Sequence, residues 1–131
     1  MIADIDDCSR FNAVYGKQAG DIILLEPAKK IASCCSGTDI PARIGGEEFA
    51  VLSPVRDREG ILELAETIRS SVADNSVVTP DGTFSITISI GVSSVTMDVL
   101  KSIRGRDDIL NKTLGALVEA KREGKNRAAL S

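Results

Sequence analysis

Between Phe84 and Val92 the chain alternates without a break. Phe84, Ile86, Ile88, Ile90 and Val92 are apolar, while Ser85, Thr87, Ser89, Gly91 and Ser93 are small and mostly polar. A period of two residues with one apolar face is the pattern of a β-strand. Such a strand is not stable alone: it needs neighbouring strands and a second layer to cover its apolar face. At 131 residues the chain supplies material for one domain built around such a sheet, and too little for two well-buried ones.

The other segments fall into place around it. Met1–Ile5 reads as a short strand opening into a polar turn, Asp6–Arg10. A chain that begins inside a strand predicts further sequence upstream in the intact protein. From Asp21 the apolar stripe Leu24, Leu25, Ala28, Ile31, Ala32 and Cys35 has helix spacing, and Ser36-Gly37 predicts its end. Pro27 interrupts it: inside a helix it costs about 3 kcal/mol unless it lies in the first turn, which predicts a late start or a kink. Ile40–Ile44 and Glu47–Leu52 flank Gly45-Gly46, a hairpin signal that predicts positive φ at both glycines. A second helix is predicted over Arg58–Val72, with Ile61, Leu64, Ala65, Ile68 and Val72 on one face. Asp74–Gly82 reads as a turn-rich connection, and Asp98–Arg106 fits no single pattern. A third helix, Asp107–Glu123, carries Leu110, Leu114, Leu117 and Val118, stops at Gly124, and precedes a short strand at Ala128–Leu130.

The order β-α-β-β-α-β-α-β predicts an α+β fold with a ferredoxin-like βαββαβ core, an antiparallel sheet with helices packed on one face, extended by a further αβ. In that topology the first strand lies antiparallel beside the third. Asp4, Asp6 and Asp7 are then expected to meet Glu47 and Glu48 in one carboxylate cluster. Composition narrows what such a cluster can do. There is no histidine, which excludes imidazole acid–base chemistry and most zinc sites. A net charge of -3 and four aromatic residues (Phe11, Tyr15, Phe49, Phe84) argue against nucleic-acid binding. Converging carboxylates repel one another unless a hard cation sits between them, and Mg²⁺ bound to one or two carboxylates and substrate phosphates suits phosphoryl or nucleotidyl transfer. Cys8, Cys34 and Cys35 form no disulfide framework, and neither a signal peptide nor a membrane-spanning run is present. A cytoplasmic, reducing setting is expected, with no membrane contact by this domain.

Arg43-Ile44-Gly45-Gly46-Glu47-Glu48-Phe49 resembles the signature of the GGDEF family of diguanylate cyclases in its Gly-Gly-Glu-Glu-Phe form. Asp4-Ile5-Asp6, Asn12, Gly16 and Gly20-Asp21 resemble the family's opening motif. Ser89-Ile90-Gly91-Val92 and Ala120-Lys121-Arg122-Glu123-Gly124-Lys125-Asn126 resemble its later ones, so the likeness covers nearly the whole chain. It implies a single catalytic domain, 1–131, similar to polymerase-palm and nucleotide cyclase folds, without the family's upstream helix or a sensory domain. It implies condensation of two GTP into cyclic di-GMP and pyrophosphate by a homodimer, with a fused or associated sensory domain in the full-length protein. By resemblance, Asp4, the carbonyl of Ile5, and Glu47 would hold Mg²⁺ or Mn²⁺, and Glu47 would activate the 3′-hydroxyl. Asn12 and Asp21 would read the guanine edge, whose N1 and N2 donor pair adenine lacks. Gly45 and Gly46 would admit the nucleotide closely, with Glu48, Lys121 and Lys125 also at the substrate.

The chain departs from the family pattern at several places. Cys8-Ser9 stands where the family has Phe-Lys, so a phosphate-facing cation is missing unless Arg10 replaces it. Ala13, Lys17, Val118 and Lys125 also differ, the last keeping charge without an arginine's fork. The family's product-binding Arg-x-x-Asp is Ser36-Gly37-Thr38-Asp39, a degenerate inhibitory site at which no tight cyclic di-GMP binding is expected. The alternative is therefore a degenerate domain that binds GTP or cyclic di-GMP without turnover. A plain ferredoxin-like interaction domain is the third reading.

Overall fold

The computed structural model describes residues 1–95, 104 and 106–131. Most of the segment 98–106, which fits no single sequence pattern, lies outside the described residues. The element order is β1 (Ile2–Ile5), α1 (Cys8–Cys34), β2 (Ile40–Arg43), β3 (Glu48–Leu52), α2 (Arg58–Ala73), β4 (Ser76–Thr79), β5 (Gly82–Ser85), β6 (Ile88–Val92), α3 (Arg106–Arg122) and β7 (Ala128–Leu130). Five described strands form one sheet in the order β2-β3-β1-β6-β7, and β4 pairs with β5 in a second. All main-sheet pairs are antiparallel except β6 with β7. This is the expected α+β class.

The alternating run serves two sheets. Its first residues, to Ser85, belong to the β4–β5 hairpin; those from Ile88 belong to the centre of the main sheet. The connection expected over Asp74–Gly82 thus contains a strand, with Val77 and Thr79 turned inward. In β6 every residue is buried. Ile88, Ile90 and Val92 join the core with Ala3, Ile5, Phe49 and the inner faces of α1 and α2. On the other face Gly91 meets α3: a Cβ there would stand 2.2 Å from the carbonyl oxygen of Thr113 and 2.5 Å from the amide nitrogen of Leu117. Helices therefore cover both faces of the sheet, two on one and α3 on the other, rather than one face alone.

Helix α2 packs through the expected stripe, Ile61 to Val72, and the Asp57 carboxylate caps it by accepting from Gly60 N. The other two helices bury only part of their expected stripes, Ile31 in α1 and Leu117 in α3 facing inward as expected. In α1 the buried line is Ala19, Ile23, Pro27 and Ile31, and Leu25 is 53% exposed. In α3 it is Thr113, Ala116, Leu117 and Ala120, leaving Leu110 and Val118 outside. Small residues share the contact with Ile23, Ile31 and Leu117, and Leu25, Leu110 and Val118 fall beside it.

Two local expectations change. Helix α1 starts at Cys8, not Asp21, because Asp6–Arg10 turns for only two residues before coiling. It bends at Gly16 (φ 80°, ψ 178°), and Pro27 lies buried well inside the second segment. Gly45 and Gly46 do not have positive φ. Four residues, Ile44–Glu47, connect β2 to β3, and a loop of that length needs no left-handed pair.

Candidate functional site

The end of β1 is the centre of the site. Asp4 pairs in register with Glu48 of β3 on one side and Ser89 of β6 on the other, as the topology requires. The Ile5 amide donates to the Glu47 carbonyl at 3.2 Å, which fixes the start of β3 against β1. Asp4 is only 7% exposed and lies on the α3 face, where Lys121 Nζ donates to its Oδ1 at 2.6 Å. Residues 117 positions apart thus form one pair.

Glu47 stands against Cys8 at the start of α1. Burial first, then the negative charge of Glu47 and a hydrogen bond to it, and then the charge of Asp4, pushes the Cys8 thiol up to about 11. Cys8, 2% exposed, is a core thiol held in its neutral form.

The expected five-carboxylate cluster does not form. Among the described residues, no three Asp, Glu, Cys or His side chains converge closely enough to hold a metal ion. Asp6 is consumed structurally: it accepts from Thr87 Oγ1 and Ser89 Oγ, each at 2.7 Å, and from Asn126 N at 3.0 Å. Asp7 faces Lys125 Nζ at 2.6 Å. Each holds the other charged, Asp7 below and Lys125 above its ordinary pKa, chiefly through that hydrogen bond. The left-handed run Gly124, Lys125, Asn126 turns the chain back after α3 and brings these groups to β1. Arg10 is near enough for its charge to act on both Asp7 and Lys125.

Asn12 and Asp21 lie on the two segments of α1. Asp21 borders a cavity of about 270 Å³ whose other walls are Leu24, Leu25, Ala28, Arg43 and Phe49. Arg43, to which sequence reasoning gave no role, forks onto the Gly45–Gly46 loop: Nε donates to both carbonyls at 3.1 Å and Nη2 to that of Gly46 at 2.7 Å. The only sign of this in the sequence is a cation two residues before a glycine pair. Gly46 leaves open space where a Cβ would be, and the Glu48 carboxylate leans over Gly45.

The family described as Diguanylate cyclase, GGDEF domain, matches residues 1–127. The chain belongs to the GGDEF family. It is 40% identical over 131 residues to Diguanylate cyclase A of Treponema denticola, covering all of this chain and 34% of that protein. It therefore spans about a third of that relative's length. Among solved structures it resembles the active GGEEF domain of a diguanylate cyclase from Vibrio cholerae (TM-score 0.84, 32% identity, 98% of this chain and 79% of that one). It also resembles the GGDEF domain of DgcB from Caulobacter crescentus in complex with c-di-GMP (TM-score 0.88, 26% identity, 98% and 74%). No described helix of this GGDEF domain is long and apolar enough to cross a membrane.

The Ser36-x-x-Asp39 segment is built into the fold. Ser36 donates to Asp39 Oδ2 through its amide (2.8 Å) and hydroxyl (2.9 Å), and Arg56 reaches both carboxylate oxygens at 3.0 and 3.3 Å. The Arg56 guanidinium, aided by the Ser36 amide, holds the Asp39 carboxyl well below the usual carboxylate range. A depressed acid contributes stability above its unfolded pKa, about 4, and loses it as pH falls further. Arg56→Met should therefore lower the unfolding midpoint at pH 7, with the gap to wild type closing toward pH 2 in denaturant titrations. A gap that stays constant with pH would remove this pair from the account.

Proposed function

We propose that the domain condenses two GTP molecules into cyclic di-GMP and pyrophosphate, one GTP on each protomer of a homodimer. The observation that carries this reading is the junction of Asp4, Glu47 and Lys121 at the end of β1, beside the Gly45–Gly46 loop. Asp4, Glu47 and the Ile5 carbonyl offer three hard oxygen donors. Lys121 takes only Oδ1 of Asp4, and the other positions of an ion would fall to water and phosphate. That donor set fits Mg²⁺ or Mn²⁺, which when bound supplies charge at the phosphate oxygens.

The chain's own groups do the rest. Lys121 has three donors and can bridge Asp4 to a phosphate without leaving it. In this reading Glu47 accepts the proton of a 3′-hydroxyl as that oxygen attacks the α-phosphorus of the opposite GTP and pyrophosphate departs. Arg43 stiffens the loop over which the nucleotide lies. Incubation with GTP and Mg²⁺ or Mn²⁺, followed by chromatography, tests this directly. A cyclic di-GMP peak supports it, and bound nucleotide without product favours the alternative, a non-catalytic GTP-binding module. Ser9, exposed at the family's lysine position, is the observation on that side.

In this reading the base lies beside Asp21, whose carboxylate can accept from N1 and N2 of guanine. A site built for those donors leaves its acceptors unpaired on adenine. GTP should bind at least about 100-fold more tightly than ATP, and Asp21→Ala should bring the ratio below about tenfold in competition titrations. Equal affinities in the unmutated protein would sink the assignment. Asp39 already accepts four hydrogen bonds from Ser36 and Arg56, so we also expect calorimetry with cyclic di-GMP to detect no binding that depends on it; a tight site lost on mutating Asp39 would overturn this.

A further inference from the structure

We propose that Gly16 and Gly20 form a cradle that fixes the side chain of Asn12, and that Gly20 is in this sense a positioning residue for base recognition. The proposal rests on the guanine reading above.

In a straight helix, Asn12 and Gly20 would be about 12 Å apart along the axis and could not touch. Here they touch closely. An ideal Cβ on Gly20 would lie 1.9 Å from Asn12 Oδ1, 2.9 Å from its Cγ and 3.4 Å from its Nδ2. The carboxamide therefore occupies the space a side chain at position 20 would fill. Gly16 makes this possible: its φ of 80° and ψ of 178° lie in a region open essentially to glycine alone, and the chain folds back there.

Little else holds Asn12. Its side-chain hydrogen bond among the described residues is a long one, Nδ2 to Cys8 Sγ at 3.9 Å. The segment that carries it is pinned from the other side. Phe11 and Tyr15 stack with Phe84 of β5, with ring centroids 4.6 to 4.8 Å apart. Backbone placement comes from the aromatic trio and the Gly16 bend; the rotamer comes from the bare surface of Gly20. A methyl group there displaces a flexible carboxamide, since its three nearest neighbours are all atoms of the Asn12 side chain. Alanine is also the better helix former, so the fold should survive.

The test is a double-mutant cycle in the full-length protein, with Gly20→Ala, Asn12→Ala and the pair. Binding of the α,β-methylene analogue of GTP is measured by calorimetry. Gly20→Ala should weaken binding about tenfold, the scale of one lost polar contact, and should add less than about twofold in the Asn12→Ala background. The side-chain amide resonance of Asn12 should shift in nucleotide-free Gly20→Ala. An unshifted resonance, unchanged affinity, or an equal loss in both backgrounds would each overturn the cradle. If Asn12→Ala alone binds the analogue like wild type, the guanine reading fails and the inference falls with it; if Asn12→Ala weakens binding and Gly20→Ala does not, only the cradle fails.

Discussion

Glu47→Gln should reduce cyclic di-GMP formation by at least about 10³-fold while the protein remains folded. Two losses combine. The amide cannot take a proton from a hydroxyl, a role typically worth 10² to 10⁴ in rate, and one of two anionic ligands available to a cation disappears. The fold has little reason to respond. The Glu47 main-chain carbonyl accepts from Ile5 N, which glutamine keeps, and the side-chain amide oxygen can still accept from the Cys8 thiol. Sequence reasoning anticipates a gain in stability from relieving a self-repelling carboxylate cluster. With Asp6 and Asp7 already engaged elsewhere, that gain should be small, within about 0.5 kcal/mol. A purified variant that makes product at close to the wild-type rate would remove Glu47 from the chemistry.

The second large effect lies away from the reacting atoms. Gly91→Ala should destabilise the domain by about 3 kcal/mol, at the upper end of what overpacking usually costs. The new Cβ would lie 2.2 Å from Thr113 O, 2.5 Å from Leu117 N and 2.9 Å from Leu117 Cα. These are backbone atoms of α3, so no rotamer change can relieve them: the helix must lift. Lys121 sits one turn beyond Leu117, so its hold on Asp4 should loosen as well, and activity should fall even in molecules that remain folded. Gly115→Ala is the internal control. Among the described residues its Cβ meets nothing within 4 Å outside its own helix, and helix propensity favours alanine by up to about 1 kcal/mol. Thermal unfolding of the two variants should move in opposite directions. A Gly91→Ala protein as stable as wild type would mean that α3 does not press on β6 as described.

Much of this arrangement is legible before any coordinates. The apposition of Asp4 and Glu48 follows from strand order alone, because a βαββαβ core puts its first and third strands side by side. The α2 stripe is legible too, since its exposed positions are mostly charged or polar and the contrast is sharp. The α1 and α3 stripes mislead for a physical reason. Both helices bury small residues, Ala19 and Gly20 in one, Thr113, Ala116 and Ala120 in the other. Hydropathy favours large side chains, but close approach favours small ones. Asp6 misleads for a different reason. Its partners Thr87, Ser89 and Asn126 lie more than 80 residues away, and three donors make an acid structural in a way that no local pattern reveals. Arg56 is hidden in the same way, 17 residues from the carboxylate it holds.

The position of β1 has a kinetic consequence. It is the first strand in the chain and the middle strand of the sheet, flanked by β3 and β6. Its partners begin more than 40 and more than 80 residues later, as the pairs Asp4 with Glu48 and Asp4 with Ser89 show. Helices and the β2–β3 and β4–β5 hairpins can form locally within microseconds, but closing these long loops must wait for distant chain to arrive, which places such topologies among slower folders. Asp4, Glu47 and Lys121 meet only when that last closure is complete. A chain caught partway would hold most of its helices and hairpins and yet have no place to bind a nucleotide, so acquisition of binding should lag behind acquisition of secondary structure during refolding.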